Sequence, residues 1–594
     1  MKNLSRLFLF LFIYLYAFTL LAQEKPVAKF WIIFKDKGVY DYYTEMKPGS
    51  DAYETAKSML SDRAIKRRMK VLGEERLVDF WDLPIEQKYI DDLSGKGINI
   101  ISKSRWFNGV SAYLTASQLE LVKNLDYVSE IKLLGKNYKN SFEFVKPEIT
   151  DIVSVFEVER DVLNDVYDYG KSYKQMKMIN VPMVHNLGIT GKGVLIASFD
   201  SGFEWRDHEC TRDLKIIDEY DFINKDPNTR NELSQTYVDK IDQSTHGTAT
   251  LSNLAGFKPG KLIGPAFGSE IILAKTEYVP TETPMEEDFF LEAAEWAEAK
   301  GVDVISTSLG YRGFDEPFSK NSYLYEHYTG RVAITTLAAA RAVYLGVCFV
   351  ASAGNNGQTI PPSLGSPGDG DSVISVGAVD LNGEIASFSS NGPTPDGRIK
   401  PDVVAPGVRN FVALGKNLTG NDSTYGGMNG TSFSCPLTAG VCALILSAHP
   451  ELTPMQVREA LRNTADRAGN PDNIYGWGLI NAYKAITYWG PAWSNSPQVE
   501  IEGNKVKISI SVASKSIIEQ ETIKIWYTTE DGNDNFIPKV MDIVELNNDG
   551  NNSGLYTVTL ENIDNLNKLR FFFSCKNKED TWYYPVKYPF EIYQ

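Results

Sequence analysis

The spacing of hydrophobic and polar residues changes twice along the chain and divides it into three regions. In the first region, strand-like and helical runs follow each other in the order β-α-β-β-α-β. In the central region, short apolar runs alternate with helical patterns. Beyond Trp489 the helical patterns stop, and strand-like runs are separated by turns rich in Asn, Asp and Gly. We therefore expect three folded domains in succession.

The first region has the element order of a split βαβ unit. Its predicted strands span residues 29–35, 98–106, 109–114 and 128–134, and its predicted helices span residues 83–96 and 116–125. The basic segment Ser61–Arg68 lengthens the first connection, and we expect it to form a helix on the domain surface. A generic ferredoxin-like adaptor domain would show the same element order, so this pattern alone assigns no role.

The central region is typical of a parallel sheet covered by helices on both faces, because its strands are short and almost wholly apolar. The predicted strands span residues 193–199, 302–307, 347–351 and 373–379. A capping box at Thr283–Glu286 begins a helix that Gly301 ends. In such sheets the chemistry gathers at the carboxyl ends of the strands, where Asp200, Ser308 and Asn355 fall.

The third region predicts a small β-sandwich of about 100 residues. Its strand-like runs span residues 505–512, 522–528, 555–560, 569–575 and 590–593. The pattern does not assign this domain a role, and substrate binding, surface tethering and help with folding are all open.

Composition limits the function classes more than the fold. The 594 residues are 43% hydrophobic and 23% charged, as in ordinary globular proteins with large cores. The net charge of −16 argues against a general nucleic-acid-binding protein, which needs a basic face. We therefore expect no nucleic-acid partner.

The N-terminus has the pattern of a signal peptide. Lys2 and Arg6 precede the apolar run Leu7–Leu21, which ends at the small residue Ala22. The run is short for a membrane span, although an uncleaved anchor helix would share the pattern. No later stretch is predicted to cross a bilayer. We therefore expect an exported protein, secreted or periplasmic, with no membrane span after signal cleavage.

Cysteine spacing indicates neither a zinc site nor a disulfide framework. The five cysteines are an odd number and include no CxxC pair. Cys435 and Cys442 lie seven residues apart on one predicted helix, about 10 Å at the helical rise, which is too far for a disulfide. We expect buried free thiols.

Three short motifs, far apart in the chain, each place a reactive side chain at the end of a predicted strand or the start of a helix. They are Phe199–Gly202, Ser244–Thr248 and Asn429–Ser434. The hydroxyl of Ser432 is a poor nucleophile at neutral pH and needs a base, for which His246 is the candidate. Asp200 would then hold the imidazole tautomer. The helix that begins near Ser432 would offer N–H groups to a developing anion.

An acid, a histidine and a serine in this chain order resemble the subtilisin-like serine peptidases (subtilases), over residues 171–489. The resemblance implies that Asp200, His246 and Ser432 form a catalytic triad. It also implies that Asn355 donates a hydrogen bond to the oxyanion, together with the backbone N–H of Ser432.

The resemblance further implies a domain order and a route of maturation. It divides the chain into a signal peptide at 1–22, a ferredoxin-like inhibitory prodomain at 23–136, a linker with the processing site at 137–170, a subtilisin-like α/β catalytic domain at 171–490 and a C-terminal β-sandwich at 491–594. The implied function is a secreted serine endopeptidase that acts on proteins or peptides through an acyl-enzyme. It would cut off its own prodomain, which would be its intramolecular inhibitor.

Substrate contacts also follow from the resemblance. They are assigned to Ser308, Leu309, Gly310, Ala353, Gly354 and Gly365. The first three would pair as an edge segment with an extended peptide, opposite Tyr278–Pro280, and the other three would form the floor of the first specificity pocket. Glu286, Glu287 and Asp288 are expected near the rim of the cleft, where they would favour basic residues in the substrate.

The motifs require no cofactor, and no pair of histidines outside them has metal-ligand spacing. Structural calcium is common in the family, and four carboxylates could supply oxygen ligands for it: Asp207, Glu209, Asp218 and Asp221. Because acidic loop residues are usually only solvated, calcium stays an option and is not predicted.

Three other functions compete with a peptidase. A catalytically silent binding protein on the same scaffold would be favoured if a triad residue were missing, but none is. A nucleotide-binding enzyme is disfavoured because Gly191–Gly193 precedes its strand and no GxGxxG or P-loop string occurs. An α/β-hydrolase is disfavoured because Ser434 occupies the second glycine of GxSxG. Phe433 and Ser434 also replace the usual Met and Ala of subtilases, but this removes no catalytic group.

Overall fold

The computed structural model describes residues 28–133, 149–150, 165–240, 243–316, 318–416, 420–530, 535–547, 549–578, 580–585 and 590–591. These residues form three units, one for each region of the hydrophobic pattern. The signal peptide predicted at 1–22 lies outside the described residues, as does most of the linker predicted at 137–170.

The N-terminal unit is a four-stranded antiparallel sheet with helices. Its strands are β1 Ala28–Phe34, β2 Ile100–Ser104, β3 Gly109–Leu114 and β4 Val128–Leu133, in the order β2-β3-β1-β4. Its helices are α1 Asp51–Ser58, α2 Asp62–Leu72, α3 Gln87–Gly95 and α4 Ala116–Lys123. Alternation along β1 explains the packing: Phe30, Ile32 and Phe34 face α3 and α4, whereas Trp31 packs against the central unit. The predicted split βαβ unit is confirmed.

Helix α2 corrects the expectation of a surface helix at Ser61–Arg68. The helix forms, and the Ser61 side chain caps its first turn. Arg67 and Arg68 are only 4% and 0% exposed, however, because α2 lies between the N-terminal and central units. Both guanidinium groups pair with Glu298 of the central unit. The sequence of the basic segment does not show that its partner lies 230 residues further along the chain.

The central unit is built on a parallel sheet. Its strands are β5 Ile149–Thr150, β6 Leu195–Asp200, β7 Lys215–Asp221, β8 Phe257–Lys258, β9 Leu262–Ile263, β10 Glu270–Lys275, β11 Val304–Thr307, β12 Cys348–Ser352, β13 Ile374–Val379, β14 Val403–Pro406, β15 Asn410–Ala413 and β16 Tyr425–Met428. Seven of them form the parallel sheet, in the order β14-β13-β12-β11-β6-β10-β7. The helices are α5 Tyr173–Met178, α6 Val181–Asn186, α7 Thr245–Ala255, α8 Pro284–Lys300, α9 Ile334–Tyr344, α10 Thr431–Ala448, α11 Pro454–Thr464 and α12 Ala482–Ile486.

Each strand of the parallel sheet sends alternate side chains to opposite faces. In β6, Ile196 joins the core that contains α10, whereas Leu195, Ala197 and Phe199 join the core that contains α8 and α9. The predicted sheet with helices on both faces is therefore confirmed. Within the described residues, α10 is the one helix long and apolar enough to cross a membrane, and it is wholly buried inside the central unit. Burial on all sides explains its apolar composition.

Helix α8 joins the central unit to the N-terminal unit. It begins at the predicted capping box and ends at Gly301, whose φ is 91°. The Lys29 ammonium lies 2.6 Å from the Asp288 carboxylate, and Trp31 Nε1 and Ser111 Oγ also donate to that carboxylate, at 3.1 and 2.5 Å. The face of the N-terminal sheet that α3 and α4 leave open is therefore covered by α8.

The C-terminal unit is a two-sheet β-sandwich, as predicted. Its strands are β17 Ala492–Trp493, β18 Gln498–Glu502, β19 Lys505–Ala513, β20 Lys524–Thr528, β21 Ile537–Val540, β22 Asp542–Leu546, β23 Gly554–Leu560, β24 Arg570–Lys576, β25 Thr581–Tyr584 and β26 Phe590–Glu591. One sheet has the order β17-β19-β23-β22 with β18 beside β19, and the other has the order β21-β20-β24-β25 with β26 beside β24. The sequence pattern missed β18, β21 and β22, whose side chains are exposed throughout and show no buried face.

Candidate active site

The predicted acid and base meet at the carboxyl end of β6. Asp200 is the last residue of that strand and is fully buried, while His246 is the second residue of α7. His246 Nδ1 lies 2.7 Å from Asp200 Oδ1. The Ser201 N–H also donates to Oδ1 at 2.8 Å, and the Thr250 hydroxyl donates to Oδ2 at 2.9 Å. The carboxylate therefore keeps the proton on Nδ1 and leaves Nε2 as the basic nitrogen.

The surroundings of His246 favour its charged form. Burial lowers the pKa of the imidazole, but the Asp200 carboxylate raises it through charge and hydrogen bonding, and Glu277 raises it further. The balance leaves the pKa of His246 above its ordinary value of 6.5. The side chain is 21% exposed, so the ring remains reachable from the cleft. This environment suits a group that takes up a proton during a reaction.

Ser432 lies in the first turn of α10, next to the end of β11. Its hydroxyl donates to the Ser308 carbonyl at 3.2 Å, and the Ser308 hydroxyl donates to the Ser432 carbonyl at 2.8 Å. The ring of Phe433, the next residue, lies 5.8 Å from the His246 ring, centroid to centroid. The nucleophile and base candidates thus lie on the same side of the sheet, where the carboxyl ends of its strands meet; we call this the carboxyl edge. Transfer of the hydroxyl proton to His246 requires the Ser432 side chain to rotate away from Ser308.

Asn355 borders a small space beside Ser432. The Thr431 N–H and hydroxyl both donate to Asn355 Oδ1, each at 2.9 Å, which fixes the amide orientation. A methyl group added to Gly430 would lie 3.5 Å from Asn355 Nδ2 and 3.6 Å from the Ser432 N–H nitrogen. Glycine leaves this space empty, so two N–H donors border a site large enough for an oxygen.

The six predicted substrate-contact residues lie on three segments around Ser432. Ser308, Leu309 and Gly310 follow β11 directly, and Ala353 and Gly354 follow β12 directly. Gly365 precedes Ser366, whose backbone pairs with that of Tyr311. The Gly354 N–H donates to the Thr431 hydroxyl at 3.3 Å, which ties this segment to the start of α10. The sheet therefore brings all six residues to the edge that holds Ser432.

Gln243 is a buried residue of this site that the sequence analysis missed. Its Nε2 donates to the carbonyl of Ser201 at 2.7 Å and to that of Glu277 at 2.6 Å. Its Oε1 accepts from the Val279 N–H at 3.1 Å. One amide thus joins the residue after Asp200 to the segment that flanks the cleft. A lone glutamine before a histidine motif carries no sequence signal for this role.

The acidic residues expected at the cleft rim are buried in the full-length chain. Glu286, Glu287 and Asp288 are at most 1% exposed. Glu287 accepts from the Tyr323 hydroxyl, and Asp288 is paired with Lys29. Burial, offset in part by Lys29, raises the pKa of Glu287 to about 7. In the full-length chain these three carboxylates are therefore not exposed at a rim, because the N-terminal unit and Tyr323 cover the first turn of α8.

The four carboxylates considered for calcium do not converge. Each is paired with a cation of the protein: Asp207 with Arg230, Glu209 with Lys258, Asp218 with Lys300 and Asp221 with Lys275. Across the described ranges, no group of three or more His, Cys, Asp or Glu residues could hold a metal ion. These residues do not fit a calcium site. The five cysteines are buried and free, as expected from their spacing.

Comparisons with known proteins give a consistent assignment. The model of the subtilase family (Peptidase S8) matches residues 191–478, and the model of the Bacteroidota peptidase S8 propeptide domain matches residues 29–147. The chain is 32% identical over 386 residues to subtilisin E of Bacillus subtilis (strain 168), covering 62% of this chain and 88% of that protein. It is 33% identical over 314 residues to a subtilisin of Bacillus pumilus, covering 52% and 97%. It is 31% identical over 323 residues to serine protease AprX of Bacillus subtilis (strain 168), covering 50% and 67%.

Proposed function

The chain belongs to the subtilase family of serine endopeptidases, and on that premise we propose that it is a secreted enzyme that uses Asp200, His246 and Ser432 as its catalytic triad. The observation that carries the proposal is the 2.7 Å contact between His246 Nδ1 and Asp200, at the sheet edge that also holds Ser432.

Acylation begins when the Ser432 hydroxyl attacks the carbonyl carbon of a peptide bond. His246 Nε2 takes the hydroxyl proton, and Asp200 stabilises the resulting imidazolium. The imidazolium then returns the proton to the leaving amine, which leaves an acyl-enzyme on Ser432. Water, activated by the same imidazole, releases the acid product and restores the hydroxyl.

The oxyanion formed in each step would lie in the space beside Gly430. Asn355 Nδ2 and the backbone N–H of Ser432 border that space and would donate to the negative oxygen. The N-terminus of α10 adds a favourable field there. The substrate backbone would pair with Ser308–Gly310, and Ala353, Gly354 and Gly365 would contact the side chain before the cleaved bond.

Maturation follows from the domain order. We assign a signal peptide to residues 1–22, an inhibitory prodomain to 23–136, a linker with the processing site to 137–170, the catalytic domain to 171–490 and the sandwich to 491–594. The match of the propeptide-domain model to residues 29–147 supports an intramolecular inhibitor, and proteins or peptides are the substrate class. Export by the signal peptide would deliver the enzyme outside the cytoplasm.

Processing of the full chain tests the proposal. We expect wild-type protein to separate into prodomain and catalytic chains, and Ser432→Ala protein to remain a single chain of full length. Ser434→Ala is the matched control, since Ser434 lies two residues away and its hydroxyl donates to the Thr431 carbonyl. Identical processing of wild-type and Ser432→Ala proteins would refute self-maturation.

A further inference from the structure

Residues 37–86, which we name the helical insertion, form a body distinct from the N-terminal sheet. They lie between β1 and α3 and contain α1 and α2. Their apolar side chains, among them Tyr53, Leu77 and Phe80, form a core of their own, separate from the core under the sheet. Ala299 of α8 packs against this core. The insertion is therefore folded onto the central unit and not only onto its own domain.

Arg63 of the insertion binds the amino ends of three neighbouring strands. Its guanidinium donates to the Gly193 carbonyl before β6 at 2.7 Å, and it pairs with Glu270 at the start of β10 at 3.0 Å. It also lies 2.8 Å from Asp303, which precedes β11. The strands β11, β6 and β10 are adjacent in the sheet. One side chain thus spans three strand starts.

Arg67 and Arg68 occupy the end of α8. Arg67 donates to the Val302 carbonyl at 2.7 Å and to the Leu345 carbonyl after α9 at 3.2 Å. Carbonyls at helix ends lack partners within the helix, so these bonds satisfy groups that would otherwise need water. Arg68 binds Glu298 through two nitrogens, at 2.7 and 2.6 Å.

Close backbone contact confirms the fit of this surface. A methyl group added to Gly301 would lie 2.6 Å from the Ala64 backbone nitrogen and 2.7 Å from Arg63 Cβ. Only a glycine permits α2 to approach the end of α8 this closely. The surface of the central unit that contacts α2 therefore fits a helix in its shape and a basic helix in its charge.

The groups that α2 contacts lie where the strands of the sheet begin, which we call the amino edge, on the opposite side from Ser432. Parallel strands begin at one edge and end at the other, and Asp200 and Ser308 mark the ends of β6 and β11. A cut in the linker at 137–170 would leave all these contacts in place. The insertion can hold the prodomain without touching the cleft.

We propose that the amino ends of β6, β10 and β11, with the end of α8, form a second docking surface for the prodomain, which the basic helix α2 fills. This proposal rests on the proposed function, in which the prodomain is cut from the catalytic chain. The surface sets how tightly the separated prodomain is held, independently of the cleft. Glu298 and Asp82 are both buried, and Arg68 pairs with both of them. Removing Arg67 therefore leaves two buried carboxylates to share Arg68, which weakens the complex and speeds dissociation.

The test uses the full chain with Ser432→Ala, which removes self-cleavage, and with a recognition sequence for an unrelated protease inserted between residues 150 and 165. After cutting by that protease, the dissociation rate of the prodomain is measured by dilution and size-exclusion chromatography. We expect Arg67→Gln to raise this rate at least about 30-fold. Arg63→Gln and Glu270→Gln, which alter a partly exposed pair, should raise it roughly 2- to 5-fold. Lys66→Gln, which removes an exposed charge from the same helix, should leave the rate unchanged.

The proposal would be overturned if the Arg63→Gln, Glu270→Gln and Arg67→Gln proteins all lost their prodomain at the same rate as the parent protein. It would also be overturned if the two halves of the parent protein separated immediately after the cut. If Arg67→Gln fails to fold, the two milder variants decide. Because an added protease makes the cut, the outcome does not depend on catalysis by Ser432. Self-cleavage of the unmodified chain, followed in parallel, tests the proposed function separately.

Discussion

The two edges of the central sheet hold polar groups in different ways. At the carboxyl edge, Ser432 donates to a backbone carbonyl that it must leave, and Asn355 Nδ2 makes no hydrogen bond to a described residue. At the amino edge, Arg67 and Glu298 are buried and mutually paired. This difference supports both proposals: a carboxyl edge whose polar groups are free to change partners during a reaction, and an amino edge whose fixed ion pairs hold a second domain.

The largest change at the carboxyl edge is expected from Asp200→Asn. The amide keeps the shape of the site but favours the wrong imidazole tautomer, and kcat should fall about 10⁴-fold. Asp213→Asn, at an exposed position, is the control and should leave kcat unchanged. Because this variant should not mature by itself, its linker is cut at the inserted protease site and its prodomain is removed before steady-state peptide hydrolysis is measured. An Asp200→Asn enzyme of near-normal kcat would remove Asp200 from the proposed triad.

Asn355→Ala should have the next largest effect. Loss of one oxyanion donor costs ~2.7–4 kcal/mol of transition-state stabilisation, a value known from the corresponding donor of subtilisin, so kcat should fall about 10²–10³-fold with little change in KM. The neighbouring Asn356→Ala is the matched control, since the Asn356 backbone N–H donates to the Ser390 hydroxyl and this bond survives the change. A rise in KM with unchanged kcat would instead assign Asn355 to substrate binding.

The pH profile should reflect the raised pKa of His246. The imidazole must be neutral to accept a proton, so activity is lost as the pH falls through its pKa. Since that pKa lies above 6.5, the acid limb of kcat/KM should have its midpoint above pH 6.5. Glu277→Gln removes a carboxyl group whose charge raises this pKa, so it should move the limb to lower pH. The shift should be small, because burial raises the pKa of Glu277 itself to about 7 and its charge is only partly present near the limb. Glu384→Gln, at an exposed position, should cause no shift. An acid limb at or below pH 6.5 would contradict this electrostatic account.

The smallest effect on catalysis is expected from Gly301→Ala at the amino edge. An alanine at φ 91° is strained and would reduce the free energy of unfolding by ~1–2 kcal/mol, while kcat of mature enzyme should not change. The added methyl should also push α2 away and speed prodomain dissociation. Gly383→Ala carries similar strain at φ 86° but lies in open surroundings, so it should lower stability without affecting the prodomain. Equal dissociation rates for the two variants would show that Gly301 is not part of a docking surface.

Local sequence features predicted the carboxyl edge well. Parallel buried strands bring their ends together, so motifs at Asp200, Ser308 and Asn355 were expected to meet before their contacts were known. Short buried strands, the capping box of α8 and the final sandwich follow from periodicity and turn chemistry. These features depend on residues that are close together in the sequence, so the sequence alone predicts them.

The amino edge was not predictable in the same way. Arg67 and Arg68 look like a solvated basic face. Their burial is favourable largely because Glu298, more than 200 residues away, pairs with both, while Asp82 also pairs with Arg68. The same holds for Asp288, whose partner Lys29 belongs to another domain. Gln243 acts through backbone groups of two distant segments. Pairings of this kind depend on the assembled fold, and residue type alone does not reveal them.

Covalent labelling of the mature protein by a fluorophosphonate probe, with the modified residue located by mass spectrometry, tests the central claim most directly. The account predicts one labelled site, at Ser432, which disappears in the Ser432→Ala protein and requires neutral His246. Absence of labelling in intact mature protein, or labelling that persists at another serine in Ser432→Ala, would contradict it.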